Sequence, residues 1–117
     1  YTYAESESES STTSSSYQQK LKLTTPSLSS GNYLIQFYCE ITSTDNDGIA
    51  AIVELDDTTT IAEMKDDRHH SEDYFKPFSG FKQVTLTSGV HEIDIDYRKL
   101  GGTAKIRRAR ISITGVS

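Results

Sequence analysis

The sequence predicts an all-β protein, an antiparallel β-sandwich of about seven or eight strands. Three observations predict it. Apolar side chains recur at every second residue in run after run, and no segment shows a helical period. Serine and threonine supply 30 of the 117 residues, a composition that suits pleated sheets better than helices. Clusters of Asp, Asn, Gly and Pro separate the runs at short intervals, as turns between strands require. A hydrophobic fraction of 34% over this length fits one domain with one core.

Residues 1–16, YTYAESESESSTTSSS, are of low complexity, and ten of them are Ser or Thr. Such a segment alone cannot bury enough apolar surface to offset its ordering entropy, so it reads as a low-complexity N-terminal arm ahead of a domain over 17–117. Its Glu-Ser alternation has a period of two, which also lets it become an edge strand or an arm that orders on a partner. From Tyr17 the pattern changes. YQQKLKLT sets Tyr17, Gln19, Leu21 and Leu23 on one face of a half-buried strand, and Pro26 and Gly31 punctuate the segment after it. NYLIQFYCEIT sets Tyr33, Ile35, Phe37, Cys39 and Ile41 inward, with Leu34 and Tyr38 covering the other face as in a central strand. STDNDG is a turn, and IAAIVELD aligns Ile49, Ala51, Val53 and Leu55. A Thr58–Thr60 corner leads to the short strand IAEMK, and DDRHHSED is a polar loop. An aromatic stretch, YFKPFSGF, is bent by Pro77 and Gly80; KQVTLTSG points Val84 and Leu86 inward; VHEIDIDYR aligns His91, Ile93, Ile95 and Tyr97.

The last strand contains its own test. Ala104 and Ile106 share one face, and Ala109, Ile111 and Ile113 share another that is out of phase with the first. A β-bulge at Arg107–Arg108 keeps both sets inside. Between this strand and the one before lies KLGGT, which reads as a hairpin turn. Folding about Gly101–Gly102 sets Asp96 opposite Arg107 and Asp94 near Arg108 or Arg110, an ion ladder that helps specify register. The alternatives for these three arginines are an exposed grip for an anion and a subunit interface, where planar bidentate donors are favoured.

Several chemistries are disfavoured. A net charge of −5 argues against nucleic acid, and no apolar run is long enough to span a membrane. Cys39, the sole cysteine, sits within an apolar strand and reads as a small buried hydrophobe. His69 and His70 lie among Asp66, Asp67, Glu72 and Asp73, but without metal-ligand spacing they read as a solvated loop. Asp45–Gly48 echoes the start of a calcium loop without its bidentate Glu, and so reads as a turn. His91 is in phase with Ile93 and Ile95, which suits a half-buried sheet residue better than a base. No nucleophile elbow or Gly-rich phosphate loop is present. The expectation is a non-enzymatic protein with no cofactor and no metal.

The aromatic group Tyr74, Phe75, Phe78 and Phe81 is the candidate for ligand or subunit contact, together with Arg107, Arg108 and Arg110. Core or subunit packing is one reading of the aromatics, and a sugar-stacking surface is the other. Three motifs carry a family resemblance: FSGF at Phe78–Phe81, V-x-L-x-x-G-x-H-x-I-x-I-x-Y-R across Val84–Arg98, and G-T-A-x-I-R-R-A-R from Gly102 to Arg110. With the opening of Ala4–Gln18 and the G-x-Y-L-I of Gly31–Ile35, the chain resembles small jelly-roll domains in structural proteins of tailed phages and related viruses. The resemblance implies a jelly-roll that decorates a capsid or sits on a tail, exposed at the virion surface. It also implies contacts with other virion proteins and a homo-oligomer, a trimer above all. The alternative is a lectin-like, carbohydrate-binding module that recognises host-surface glycans. Aromatics buried or at a symmetric interface favour assembly; three of them exposed in a shallow groove with polar neighbours favour the glycan.

Overall fold

A computed structural model describes residues 1–67 and 71–116. Their secondary structure is all β, in two antiparallel sheets. The strands are β1 (Thr2–Ser6), β2 (Ser10–Thr12), β3 (Gln18–Thr24), β4 (Gly31–Ser43), β5 (Ile49–Leu55), β6 (Thr59–Asp66), β7 (Lys76–Leu86), β8 (Glu92–Lys99) and β9 (Ala104–Val116). One sheet, A, runs β1-β9-β4-β7, with β2 also paired to β9; the other, B, runs β3-β8-β5-β6. Strands β3 to β9 are the seven expected from Tyr17 onward. The Ser-rich start, expected as an arm or edge strand, supplies β1 and β2 along the margin of sheet A.

The inner faces follow the alternation of the sequence. Ile35, Cys39, Ile41, Ile106 and Ile111 from sheet A meet Leu23, Ile49, Val53, Ile93 and Ile95 from sheet B, all essentially inaccessible to solvent. Each such aliphatic side chain contributes about 1.5–3 kcal/mol by leaving water. Gly80 lies opposite Phe37, whose ring would stand 2.9 Å from a Cβ at that position. Pro77 is tolerated because β7 is an edge strand with no ladder bond to lose on its free side.

The bulge expected in the last strand is present one residue further on. Tyr38 pairs with Arg110 and Glu40 with Arg107, so Arg108 and Ala109 together face Cys39. Arg108 takes the left-handed conformation, φ 52°. That extra residue returns Ala109, Ile111 and Ile113 to the core that holds Ala104 and Ile106. The margin on the other side of β9 accommodates the same irregularity: β1 stops at Ser6, β2 begins at Ser10, and the Arg108 amide donates to the Glu7 carbonyl at 3.1 Å.

The hairpin between β8 and β9 is a correction. The two strands belong to different sheets, and residues 100–103 cross from one to the other. Gly101 and Gly102 pack on the 44–47 turn: a Cβ on Gly101 would lie 2.6 Å from Asp47 Cβ, and one on Gly102 2.6 Å from Asp45 Cβ. Leu100 and Gly101 donate their amides to the Gly48 carbonyl. Two glycines between alternating runs mark a tight approach of backbone, and that approach occurs in an inter-sheet arch as readily as in a hairpin.

Candidate functional site

With β8 and β9 in opposite sheets, the expected ladder of Asp94 and Asp96 with the arginines does not form. Asp94 and Asp96 lie on sheet B, where Asp94 faces Lys22 on one side and Glu54 on the other. Asp94 is only 5% exposed, and its carboxyl is pushed up to about 6 by burial first and by the neighbouring Asp57 second. Asp96 is also raised, again chiefly by burial. Among the described residues, one oxygen of each of these carboxylates is buried without a hydrogen-bond partner.

The arginines find other carboxylates on sheet A. Arg107 Nε donates to Glu40 Oε1 at 2.7 Å, and Arg108 Nη1 donates to the same oxygen at 3.1 Å. The Tyr38 hydroxyl also donates to Glu40. Burial alone would raise the Glu40 carboxyl, but Tyr38 and the two guanidinium groups outweigh it and hold the group below the usual carboxylate range. Arg110 grips Glu7 with two bonds, Nε to Oε2 at 3.0 Å and Nη2 to Oε1 at 2.7 Å, which lowers the Glu7 pKa. Each outer arginine of the trio also covers an aromatic ring: Arg107 over Phe75 at 4.0 Å and Arg110 over Tyr38 at 5.3 Å.

These groups sit in cross-strand rows on the outer face of sheet A. One row reads Tyr3, Ser112, Gln36, Phe81 across β1, β9, β4 and β7; the next reads Glu5, Arg110, Tyr38, Ser79. Residues directly opposite on adjacent strands share a face, so each row is a line of neighbouring side chains. Between them lies an open groove of about 240 Å³, lined by Tyr3, Gln36, Tyr38, Arg110 and Ser112, with Phe37 and Ile111 between them in sequence. Phe81, 74% exposed, is the next side chain in the row beyond Gln36, outside the groove's lining, and Tyr3 is 45% exposed.

The four aromatics singled out from the sequence are not one group. Phe78 is 8% exposed and packs edge-on against Phe37 in the core, with ring centroids 5.1 Å apart. Phe81 is three residues on and faces outward, as an odd offset along a strand requires. Phe75 stacks on Arg107, and Tyr74 is exposed in the segment before β7. Sequence reasoning missed Tyr3, Gln36, Tyr38, Ser112, Glu7 and Glu40 as site residues. The outward phase of β4 marks Gln36, Tyr38 and Glu40, but Tyr3 and Glu7 depend on β1 pairing with β9, which no local pattern announces.

Other candidates resolve differently. Cys39 is fully buried, and burial pushes its thiol up to about 12. His91 is buried at the start of β8; its Nε2 donates to the Thr87 carbonyl at 2.8 Å and its Nδ1 lies 2.6 Å from the Asp56 carboxylate. The Asp56 bond and the Thr87 bond raise its pKa, and the ring ties the turn at Asp56 to the segment at Thr87. Asp45–Gly48 is a turn closed by the Gly48 amide on the Asp45 carbonyl. Among the described residues no three His, Cys, Asp or Glu side chains converge as a metal site. His69 and His70 lie outside the described residues.

Two stacked antiparallel sheets, one with a groove of aromatic and planar polar side chains across its outer face, make this chain a β-sandwich domain with a sheet-face site. Solved structures share the fold. The C-terminal domain of EclA, a sugar-binding protein, superposes with a TM-score of 0.58 at 14% identity, over 93% of this chain and 79% of that one. Dimeric latent PorU from Porphyromonas gingivalis gives a TM-score of 0.59 at 11% identity, over 98% of this chain but 13% of the much longer PorU chain. A family 35 carbohydrate-binding module from an environmental isolate is more distant, with a TM-score of 0.46 and 15% identity, over 97% of this chain and 90% of that one. At these identities the likeness is one of fold. No family model and no curated protein matches the chain.

Proposed function

We propose that the domain binds a glycan on the outer face of sheet A, without catalysing a reaction on it. The observation that carries this reading is the groove between Tyr3 and Tyr38, lined by Gln36, Ser112 and Arg110, with exposed Phe81 next in the row beyond Gln36. A sugar ring has an apolar face of C–H groups and a rim of hydroxyls. Aromatic faces take the first, and amide, hydroxyl and guanidinium groups take the second. Paired strands hold these groups at fixed spacing, so little order has to be imposed on binding. The volume falls just below the roughly 300–1,000 Å³ of pockets for drug-sized ligands, which suits one or two sugar rings lying across an open face.

The carboxylates beside the groove support binding there over hydrolysis; the raised ones, Asp94 and Asp96, belong to the other sheet. A glycosidase needs one carboxyl whose pKa is raised so that it can donate a proton. Glu7 and Glu40 are both held low by their arginines. The sugar-binding description of EclA, which shares the fold, is consistent with this reading. The capsid or tail role and its virion partners draw no comparable support from the groove or from these neighbours.

A glycan-array screen followed by calorimetry on the best hit tests the proposal. Tyr3→Ala and Phe81→Ala are each expected to weaken binding about 3- to 10-fold, the usual worth of an aromatic contact, while the thermal melt is unchanged. A domain that binds no glycan, or binds one equally well in both variants, overturns it.

A further inference from the structure

The arginines on this face already have carboxylate partners. Arg107 and Arg108 share Glu40, Arg110 pairs with Glu7, and Glu5 accepts from the Tyr3 hydroxyl. Arg110, the arginine that lines the groove, has its Nε and one terminal nitrogen on Glu7, with both Glu7 oxygens accepting. This is the fork geometry in which a guanidinium would otherwise take a uronate or a sulfate.

The fold holds Glu7 in place from several sides. The Arg108 amide, at the β9 bulge, donates to the Glu7 carbonyl at 3.1 Å. Lys20, buried by the bulge in β3, sends its ammonium to the Ser8 carbonyl and to Ser10 Oγ. With Ser6 paired to Ala109 before it and Ser8 and Ser10 held after it, Glu7 is pinned on both sides and its carboxylate is presented to Arg110. An anionic sugar would have to displace a carboxylate that is already bidentate and held by its own backbone. An uncharged sugar needs only the guanidinium N–H groups that Glu7 leaves unused, plus Gln36 and Ser112.

From this we infer, resting on the glycan reading, that the groove takes uncharged glycans and refuses anionic ones, and that Glu7 is the residue setting the preference by occupying Arg110. The test pairs uncharged gluco-, galacto- and manno-oligosaccharides with oligogalacturonate in calorimetry. Retention on a dextran sulfate column reads charge alone. Wild type is expected to bind an uncharged fragment at least tenfold more tightly than oligogalacturonate and to pass the column unretained. Glu7→Gln should gain about tenfold for oligogalacturonate and be retained on dextran sulfate, and adding Arg110→Gln should abolish both gains.

Tighter binding of oligogalacturonate by wild type, or no gain in Glu7→Gln, overturns the inference and leaves glycan binding standing. Failure of every oligosaccharide to bind wild type overturns glycan binding itself. The dextran sulfate arm still reads whether Glu7 masks Arg110, so the two failures are told apart.

Discussion

Asp94 is the residue whose ionisation most burdens the folded state. It is buried beside Asp57, opposite Glu54, with Lys22 as its cationic neighbour, and its carboxyl titrates at about 6. An acid whose folded pKa lies above its unfolded value of about 3.9 is best accommodated when protonated, so stability declines as pH rises through the folded value. Asp96 acts in the same direction. So does His91: its raised pKa makes the clamp on Asp56 and Thr87 complete below about 6.5 and progressively lost as pH rises past the folded value. Glu7, Glu40 and Asp56 act oppositely; their lowered values contribute stability that is present above about pH 4 and lost as pH falls through them. Stability should therefore peak in mild acid, with a higher Tm at pH 5 than at pH 8 by differential scanning calorimetry. Asp94→Asn should raise stability by about 1–2 kcal/mol at pH 8 and by nothing at pH 4. An equal effect at both pH values would show that its ionisation is not the burden. None of this was legible in the sequence, where Asp94 alternates with isoleucines like any solvent-facing strand residue. What closes over it comes from other strands.

Among the elements, β9 is where local pattern and tertiary structure agree most closely. Two in-phase apolar sets separated by an odd step can both be buried only through an extra residue, and that step is readable from the residues alone. Its placement at Arg108–Ala109, not Arg107–Arg108, depends on which residue accepts the left-handed conformation, φ 52° at Arg108. Arg108→Gly removes a left-handed cost of about 1–2 kcal/mol and an exposed ion pair to Glu40 worth about 0–1 kcal/mol. It should keep the fold, with stability within about 1 kcal/mol of wild type or slightly above it. Deleting Arg108 instead removes the extra residue: Ala109 alone then faces Cys39, and Ala104, Ile106, Ala109, Ile111 and Ile113 share one face of a regular strand, so a cooperative thermal transition should remain. A deletion variant with no cooperative transition would contradict the bulge. The crossing from β8 to β9 was not legible for a different reason. Lys99 to Thr103 carries the same glycine signature whether the next strand pairs with its predecessor or passes to the facing sheet. Only the packing of Gly101 and Gly102 on the 44–47 turn decides between them.

At the scale of the whole molecule, the sandwich has two outer faces of different character. Sheet B presents crowded aspartates whose carboxyls burial pushes upward. Sheet A presents matched ion pairs, exposed aromatic rings and a groove, and its margin is completed by the N-terminal segment whose composition alone gave no reason to order. The seven strands after Tyr17 could be read from alternation because each buries its own apolar stripe. Strands β1 and β2 bury little themselves and exist because β9 offers them an edge. The site straddles that divide: Gln36, Tyr38, Arg110 and Phe81 come from the strands after Tyr17, Tyr3 from β1 and Glu7 from the linker that follows it. Backbone and side-chain NMR during titration with the uncharged oligosaccharide that binds best tests the site most directly. Shift changes should cluster at Tyr3, Gln36, Tyr38, Phe81, Arg110 and Ser112 and leave Lys22, Asp94 and Asp96 unmoved. Changes confined to the outer face of sheet B or to the turn at 44–48, or none at saturating sugar, would contradict a glycan site on sheet A.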